Sequence, residues 1–409
     1  MKALKKLFTL ALAALIAAGT TLCVSAADIG PYSENGKIIS VSHGGNWGEY
    51  PIYSKAAVES AFELGADCVS VSVKRTADGQ FVLCKDNDLG KLYAPYKGQL
   101  ISALSLEQVS QIRITDSFGA LSDNRLCDLA DAVDAAKRFD RTLIIDDGWE
   151  YRKELYSYIV DKDAVSNTVI RTDASKGDIK EFLALTGGAL RIIGSYYGNI
   201  IFNARSYVAS LSKAGCAIVG LGTKNPFGVI FNKSMLSAFG KNNYLTRAMI
   251  STYDPDLCGQ RTDTESTWND LIDRGYSVIE ANDIKGLVNY IGRISSLRTE
   301  LMALTASAEK LDKNNCSAKS LQEISDAKAV AAQALTTLSS HEALAEAKHN
   351  ITLALNDLSV SNENHVRKGV LKISTGKIIA VILVTAAIVA GQVYTYKMQR
   401  KKKTAKSPS

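Results

Sequence analysis

Between residues 37 and 291, short apolar runs alternate with helical segments, and no other feature restricts the fold of this chain as strongly. Strand-like runs occupy 38–41, a stretch from Cys68 onward, 81–83, 142–145, 168–170, 190–193, 217–219, 247–250 and 277–279. Segments with apolar residues at helical spacing fall at 54–64, 126–138, 179–185, 204–214 and 267–274. Parallel strands need connections of a dozen or more residues, which an intervening helix supplies. The pattern therefore predicts parallel β/α winding, either as a closed barrel or as a doubly wound open sheet. A closed barrel takes eight strands. Nine candidates are present, so either 190–193 or 217–219 is expected to lie outside it.

The first unit, 37–89, carries the clearest local signals. Its opening strand ends on His43 followed by Gly44-Gly45. Gly65 stands where a C-cap would close the next helix. The turn Ala77-Asp78-Gly79 leads into the run 81–83. Ser105 and Gln108 have the spacing of an N-cap and its capping-box partner.

Glu63-Leu64-Gly65-Ala66-Asp67 and Thr76-Ala77-Asp78-Gly79 together resemble the glycerophosphodiester phosphodiesterase family, a PLC-like phosphodiesterase class. In that family a strand ends His-Arg-Gly and Pro-Glu-Asn-Thr opens the following helix. A later strand carries Glu-Leu-Asp, and another ends His-Asp. The spacing from Pro51 to Asp86 fits without a gap, and 272–282 is similar to the family's closing strand. The resemblance favours the (β/α)8 TIM barrel over the open sheet and implies a site at the C-terminal ends of the strands. There a histidine pair would carry out acid and base work while a carboxylate-bound divalent metal polarises the phosphodiester.

Carried over one position at a time, the family's reactive groups are mostly replaced. His43 stands at the first histidine and is a candidate catalytic and ligand-binding residue. Gly44 stands at the arginine, Ile52 at the metal glutamate, and Ser70 and Ser72 at the two carboxylates of the second strand. Lys85 replaces the second histidine, followed by a retained Asp86. Lys85 is thus a candidate catalytic and ligand-binding cation, with Asp86 and Arg171 beside it as candidate ligand contacts. Asp146 matches a fourth-strand metal carboxylate, and Glu49 lies in the loop beside the missing glutamate, so these two are the candidate metal ligands. Hydroxyls are weak ligands for a hard divalent ion. His43, His341, His349 and His365 are the chain's four histidines, so the barrel region has a single one. Asp147, Asp254 and Glu280 also fall near strand ends and could help rebuild a site. No cofactor is expected unless the site is active, in which case Ca²⁺ or Mg²⁺ would serve.

Beyond the barrel region, 295–358 loses Pro and nearly all interruption of its helical spacing, with breaks near Asn314-Asn315 and Ser339-Ser340. It predicts two or three antiparallel helices and resembles the small helical FIVAR modules of Gram-positive surface proteins. Residues 359–377 read as a polar linker. The 19 residues 378–396 carry no charge and suffice for a single transmembrane helix. The basic stretch 397–409 places the C-terminus in the cytoplasm, and no Leu-Pro-x-Thr-Gly sorting signal precedes the span. At the other end, 1–27 has the lysine-flanked apolar run and small-residue site of a secretory signal peptide.

The net charge of +6 includes three lysines in 1–27 and six basic residues in 397–409, and removing them leaves −3 for the exported part. The basic balance is a topology signal, so nucleic acid is excluded as a partner. Cys68, Cys84, Cys127, Cys216, Cys258 and Cys316 form no CxxC pair, and Cys68 and Cys84 suit buried thiols. The expectation is a single-pass surface protein, barrel and helical module outside the cell. Its phosphodiesterase site would be impaired and would bind a phosphate- or polyol-containing surface ligand, such as a cell-wall polymer or glycerophosphodiester. The alternative is an active metal-dependent phosphodiesterase with a rebuilt site.

Overall fold

The computed structural model describes residues 37–116, 118–197, 204–236, 247–311 and 316–365. The signal-like stretch 1–27, the proposed span 378–396 and the tail 397–409 lie outside the described residues. Among the described residues no helix is long and apolar enough to cross a membrane.

Among the described residues eleven strands are formed: β1 (Ile39–His43), β2 (Cys68–Arg75), β3 (Phe81–Leu83), β4 (Arg113–Thr115), β5 (Leu121–Arg125), β6 (Thr142–Asp146), β7 (Thr168–Thr172), β8 (Arg191–Tyr197), β9 (Ile218–Gly222), β10 (Arg247–Ser251) and β11 (Val278–Ala281). Eight of them pair in parallel in the order β1-β11-β10-β9-β8-β7-β6-β2, and the pairing of β1 with β2 closes the sheet into a barrel. The barrel expectation holds, but the strand excluded is neither 190–193 nor 217–219. Both of those belong to the barrel, as β8 and β9. The outlier is β3, which runs antiparallel along β2 with Val73 opposite Leu83. The short turn at Thr76, Ala77, Asp78 and Gly79 permits only a hairpin, because a parallel return needs a long crossover. A second hairpin, β4–β5, was not signalled by the alternation.

The helices between strands are α1 (Lys55–Leu64), α2 (Leu106–Ser110), α3 (Leu129–Phe139), α4 (Arg152–Asp161), α5 (Lys176–Leu185), α6 (Ala204–Ala214), α7 (Lys233–Leu236) and α8 (Glu265–Arg274). Local chemistry sets their ends. Ser54 caps α1 by accepting from the Ala57 N–H, and Gly65 ends it at φ 102°, a left-handed conformation that glycine adopts without a Cβ penalty. The capping box of Ser105 and Gln108 forms on α2. Asp67 latches the start of β2 to β1: its Oδ2 accepts from the N–H of Ser40 at 2.9 Å, and Ser40 Oγ accepts from the Asp67 N–H at 3.0 Å. The residues that match the family motif here are therefore ones that turn and fasten the chain.

Side chains alternate along each strand, so every second residue points into the barrel. The inner layer nearest the N-terminal ends of the strands is apolar: Ile39, Val41, Cys68, Ile144, Val169, Ile193, Ile218, Met249 and Val278. The outer faces pack against the helices in a second, larger cluster. Cys68 and Cys84 are buried free thiols.

Three further helices complete the described chain: α9 (Ile284–Glu309), α10 (Ala318–Thr336) and α11 (His341–His365). Residues 291–295, where the barrel region gives way to the helical stretch, lie inside one helix. The barrel's final helix runs on without a break into the helical bundle. Its buried residues Ile284, Leu287, Tyr290 and Ile294 serve the barrel end, and Leu301 and Ala308 the bundle. The composition shift near 295 marks a change of packing partner within one helix. At the other end α11 continues to His365, into the stretch expected to be linker.

Candidate active site

One pleat beyond the apolar layer, the inward positions become polar. Two residues on from Val41, Cys68, Ile144, Val169, Ile193, Met249 and Val278 stand His43, Ser70, Asp146, Arg171, Ser195, Ser251 and Glu280. These residues line the base of the mouth, at the C-terminal ends of the strands.

Arg171 is the centre of this layer. Its Nε donates to Asp146 Oδ1 at 2.6 Å and its Nη2 to Asp146 Oδ2 at 2.5 Å, a bidentate fork. Its Nη1 donates to Glu280 Oε2 at 2.7 Å, and Nη2 also reaches Glu280 Oε1 at 3.1 Å. Glu280 is completely buried, and both of its oxygens accept further hydrogen bonds, from the hydroxyls of Ser70 and Ser251. Two carboxylates on opposite sides of the barrel are thus bridged by one guanidinium.

The two acids respond differently. Burial lifts the Asp146 carboxyl to about 6 even though Arg171 opposes the shift. Glu280 is also desolvated, yet the Arg171 charge and its hydrogen bonds hold its carboxyl well below the usual range. His43 Nδ1 stands 3.7 Å from Glu280 Oε1, an ion-pair distance too long for a hydrogen bond. The imidazole lies flat on the ring of Tyr253, with centroids 3.7 Å apart and planes inclined by 10°. Desolvation raises the phenols of the partly buried Tyr253 and the half-exposed Tyr197, so both remain neutral donors above the ion pair. Trp47 joins the rim between β1 and β11 by donating its indole N–H to Asn282 Oδ1 at 3.0 Å.

Residues 43–183 match the Glycerophosphoryl diester phosphodiesterase family. The chain carries a glycerophosphoryl diester phosphodiesterase family domain. Solved structures of the same class share its fold. One is a glycerophosphoryl diester phosphodiesterase from Parabacteroides distasonis, 18% identical, covering 66% of this chain and 91% of that one, with a TM-score of 0.53. A Silicibacter pomeroyi protein ascribed to the same class is 9% identical, covers 66% of this chain and 98% of its own, and has a TM-score of 0.51. At such identities the likeness concerns the fold alone. No curated protein matches the chain.

At the phosphodiesterase family positions, the structure separates the candidate residues into two groups. His43, Asp146, Arg171 and Glu280 converge. Lys85 is exposed on the segment after β3. Asp86 pairs with Lys91 at 2.9 Å and Glu49 with Lys285 at 3.1 Å, both ion pairs at partly or fully exposed positions. Asp147 faces Lys74 at 3.9 Å.

The donor set does not fit the divalent metal of the phosphodiesterase family. Asp146 and Glu280 are both engaged by Arg171, and Ser70, at a carboxylate position, donates its hydroxyl to Glu280. Among the described residues no group of three or more His, Cys, Asp or Glu side chains could hold a metal ion. Gly44 and Ile52, at the arginine and metal-glutamate positions, pack on each other instead.

Ser251, Tyr253 and Trp47 were not singled out from the sequence. Strand parity would have found Ser251, since it stands two residues beyond the inward Met249. Nothing in the sequence foretells the stacking of Tyr253 on His43, because the two residues are brought together only by barrel closure.

Proposed function

We propose that this protein is a membrane-anchored, extracellular phosphodiesterase-fold barrel that does not turn over glycerophosphodiesters and instead binds a polyol-bearing surface ligand. The observation that carries this reading is the bridge Asp146–Arg171–Glu280. It ties up both converging carboxylates and, in Arg171, the buried cation that would otherwise face a phosphate. The mouth above it offers neutral phenols, an imidazole and an indole. Rings and neutral donors of this kind suit the C–H faces and hydroxyls of a polyol better than a free anion.

The test is a turnover assay with glycerophosphocholine and glycerophosphoglycerol in the presence of Ca²⁺, Mg²⁺ or Mn²⁺, on the natural protein and on His43→Ala. Background hydrolysis equal in the two is the expected result. Metal-dependent turnover lost in His43→Ala would establish the active enzyme. Binding is measured separately, by titrating a poly(glycerol phosphate) polymer and a neutral glycosylated polyol. Tyr253→Ala should weaken the polyol complex.

A further inference from the structure

The helical bundle and the barrel share α9, and that continuity fixes which way the mouth faces. Helix α9 starts after the C-terminal end of β11, at the mouth, and returns along the outside of the barrel. At Val288 it passes Gly65, the cap that precedes β2 at the barrel's opposite end, its floor; there the Val288 Cγ1 would lie 3.5 Å from an added Gly65 Cβ. Fifteen residues beyond Ile294 then project past the floor, about 22 Å at the helical rise.

Helix α11 starts at the same floor level. Ser340 donates its hydroxyl to Asp273 Oδ2 at 2.9 Å, at the floor end of α8. The Glu342 N–H donates to Asn269 Oδ1 at 3.2 Å, and Tyr290 of α9 donates to the same oxygen at 3.1 Å. From there α11 runs parallel to α9, since His341 lies beside Tyr290 and Lys348 pairs with Glu300. Its 25 residues extend about 37 Å away from the floor. The chain therefore leaves the bundle at the end opposite the mouth.

We infer that the mouth opens away from the membrane, so that its ligand is a polyol-bearing polymer on the outward side and not a headgroup of the anchoring bilayer. This rests on the anchor at 378–396 in the proposed function. The shared helix and the Ser340–Asp273 clasp make the bundle a strut that holds the barrel at a distance.

The experiment uses the full chain in phosphatidylcholine–phosphatidylglycerol vesicles, in a Cys316→Ser background, with a donor dye on one introduced cysteine and an acceptor on outer-leaflet headgroups. Gly48→Cys marks the mouth, where a side chain meets open space. Asp161→Cys marks the floor and Lys310→Cys the far end of the bundle, both exposed. Energy transfer should fall from Lys310 to Asp161 to Gly48, with transfer from Gly48 at least several-fold below that from Lys310. Transfer from Gly48 equal to or above that from Asp161 would overturn the orientation while leaving the anchor intact. A chain that fails to float with the vesicles would overturn anchor and orientation together, and neither result bears on turnover.

Discussion

A Cβ on residue 44 would lie 2.4 Å from Ile52 Cγ1. Gly44 and Ile52 thus fill one space, at the two positions where the family carries a phosphate-facing arginine and a metal glutamate. Gly44 also sits at φ 67°, in the left-handed region. The two departures support each other, because the isoleucine occupies room that only a glycine at 44 leaves free. Gly44→Ala should cost about 2 kcal/mol from the backbone conformation and the clash. Adding Ile52→Ala should return part of that cost, a coupling of about 1 kcal/mol in a double-mutant cycle read from denaturant midpoints.

Removing the bridging guanidinium leaves two buried acids facing each other. Arg171→Met is expected to lower stability by about 3–5 kcal/mol, the usual cost of stranding buried charge. Glu280→Gln in the same chain should recover much of it by removing one charge. Thermal unfolding of the four combinations checks this, and equal losses in the single and double variants would argue against the bridge.

The acids also set opposite pH responses. Glu280 is held below its ordinary 4.5, so its contribution is present above that pH and disappears as pH falls below it. Asp146 is raised from 3.8 to about 6, so between those values the folded state binds the extra proton. Stability from Asp146 therefore declines as pH rises from about 4 to 6. Asp146→Asn should flatten the profile in that window, and Glu280→Gln should flatten it below 4.5, both measured as unfolding free energy against pH.

Asp273→Ala removes the acceptor that fastens the start of α11 to the barrel. A loss of about 1.5 kcal/mol is expected, as for hydrogen bonds to a charged group. Faster amide exchange should be confined to the first turns of α11. Exchange that rises equally throughout the barrel would show that the clasp supports the whole fold.

Much of the barrel was legible because its signals are local. Gly65, the Ser105–Gln108 box and the hairpin turn act within a few residues of themselves. The miscounted strand shows the limit. An apolar run of three residues at 81–83 looks like any buried strand, and only the length of the preceding turn shows that it must run antiparallel. Helix α4 was missed because only Leu155 and Ile159 of its residues are buried, too few to mark a face. The boundary set near 295 followed composition, whereas the backbone of α9 continues wherever its next residue can still bond four residues back.

The site divides in the same way. Sequence alone determined the frame: the βαβ opening unit, the parallel winding, and the replacement of the family's metal and histidine positions by Ile52, Ser70, Ser72 and Lys85. Closure of the barrel decided what the substitutes do. Asp146, Arg171 and Glu280 stand on β6, β7 and β11, and β11 reaches β6 only when the sheet becomes a ring. The 109 residues separating Arg171 from Glu280 hide their pairing from any local pattern. Buried charge requires a partner, but which charge finds which depends on the curvature of the sheet and is a property of the folded chain.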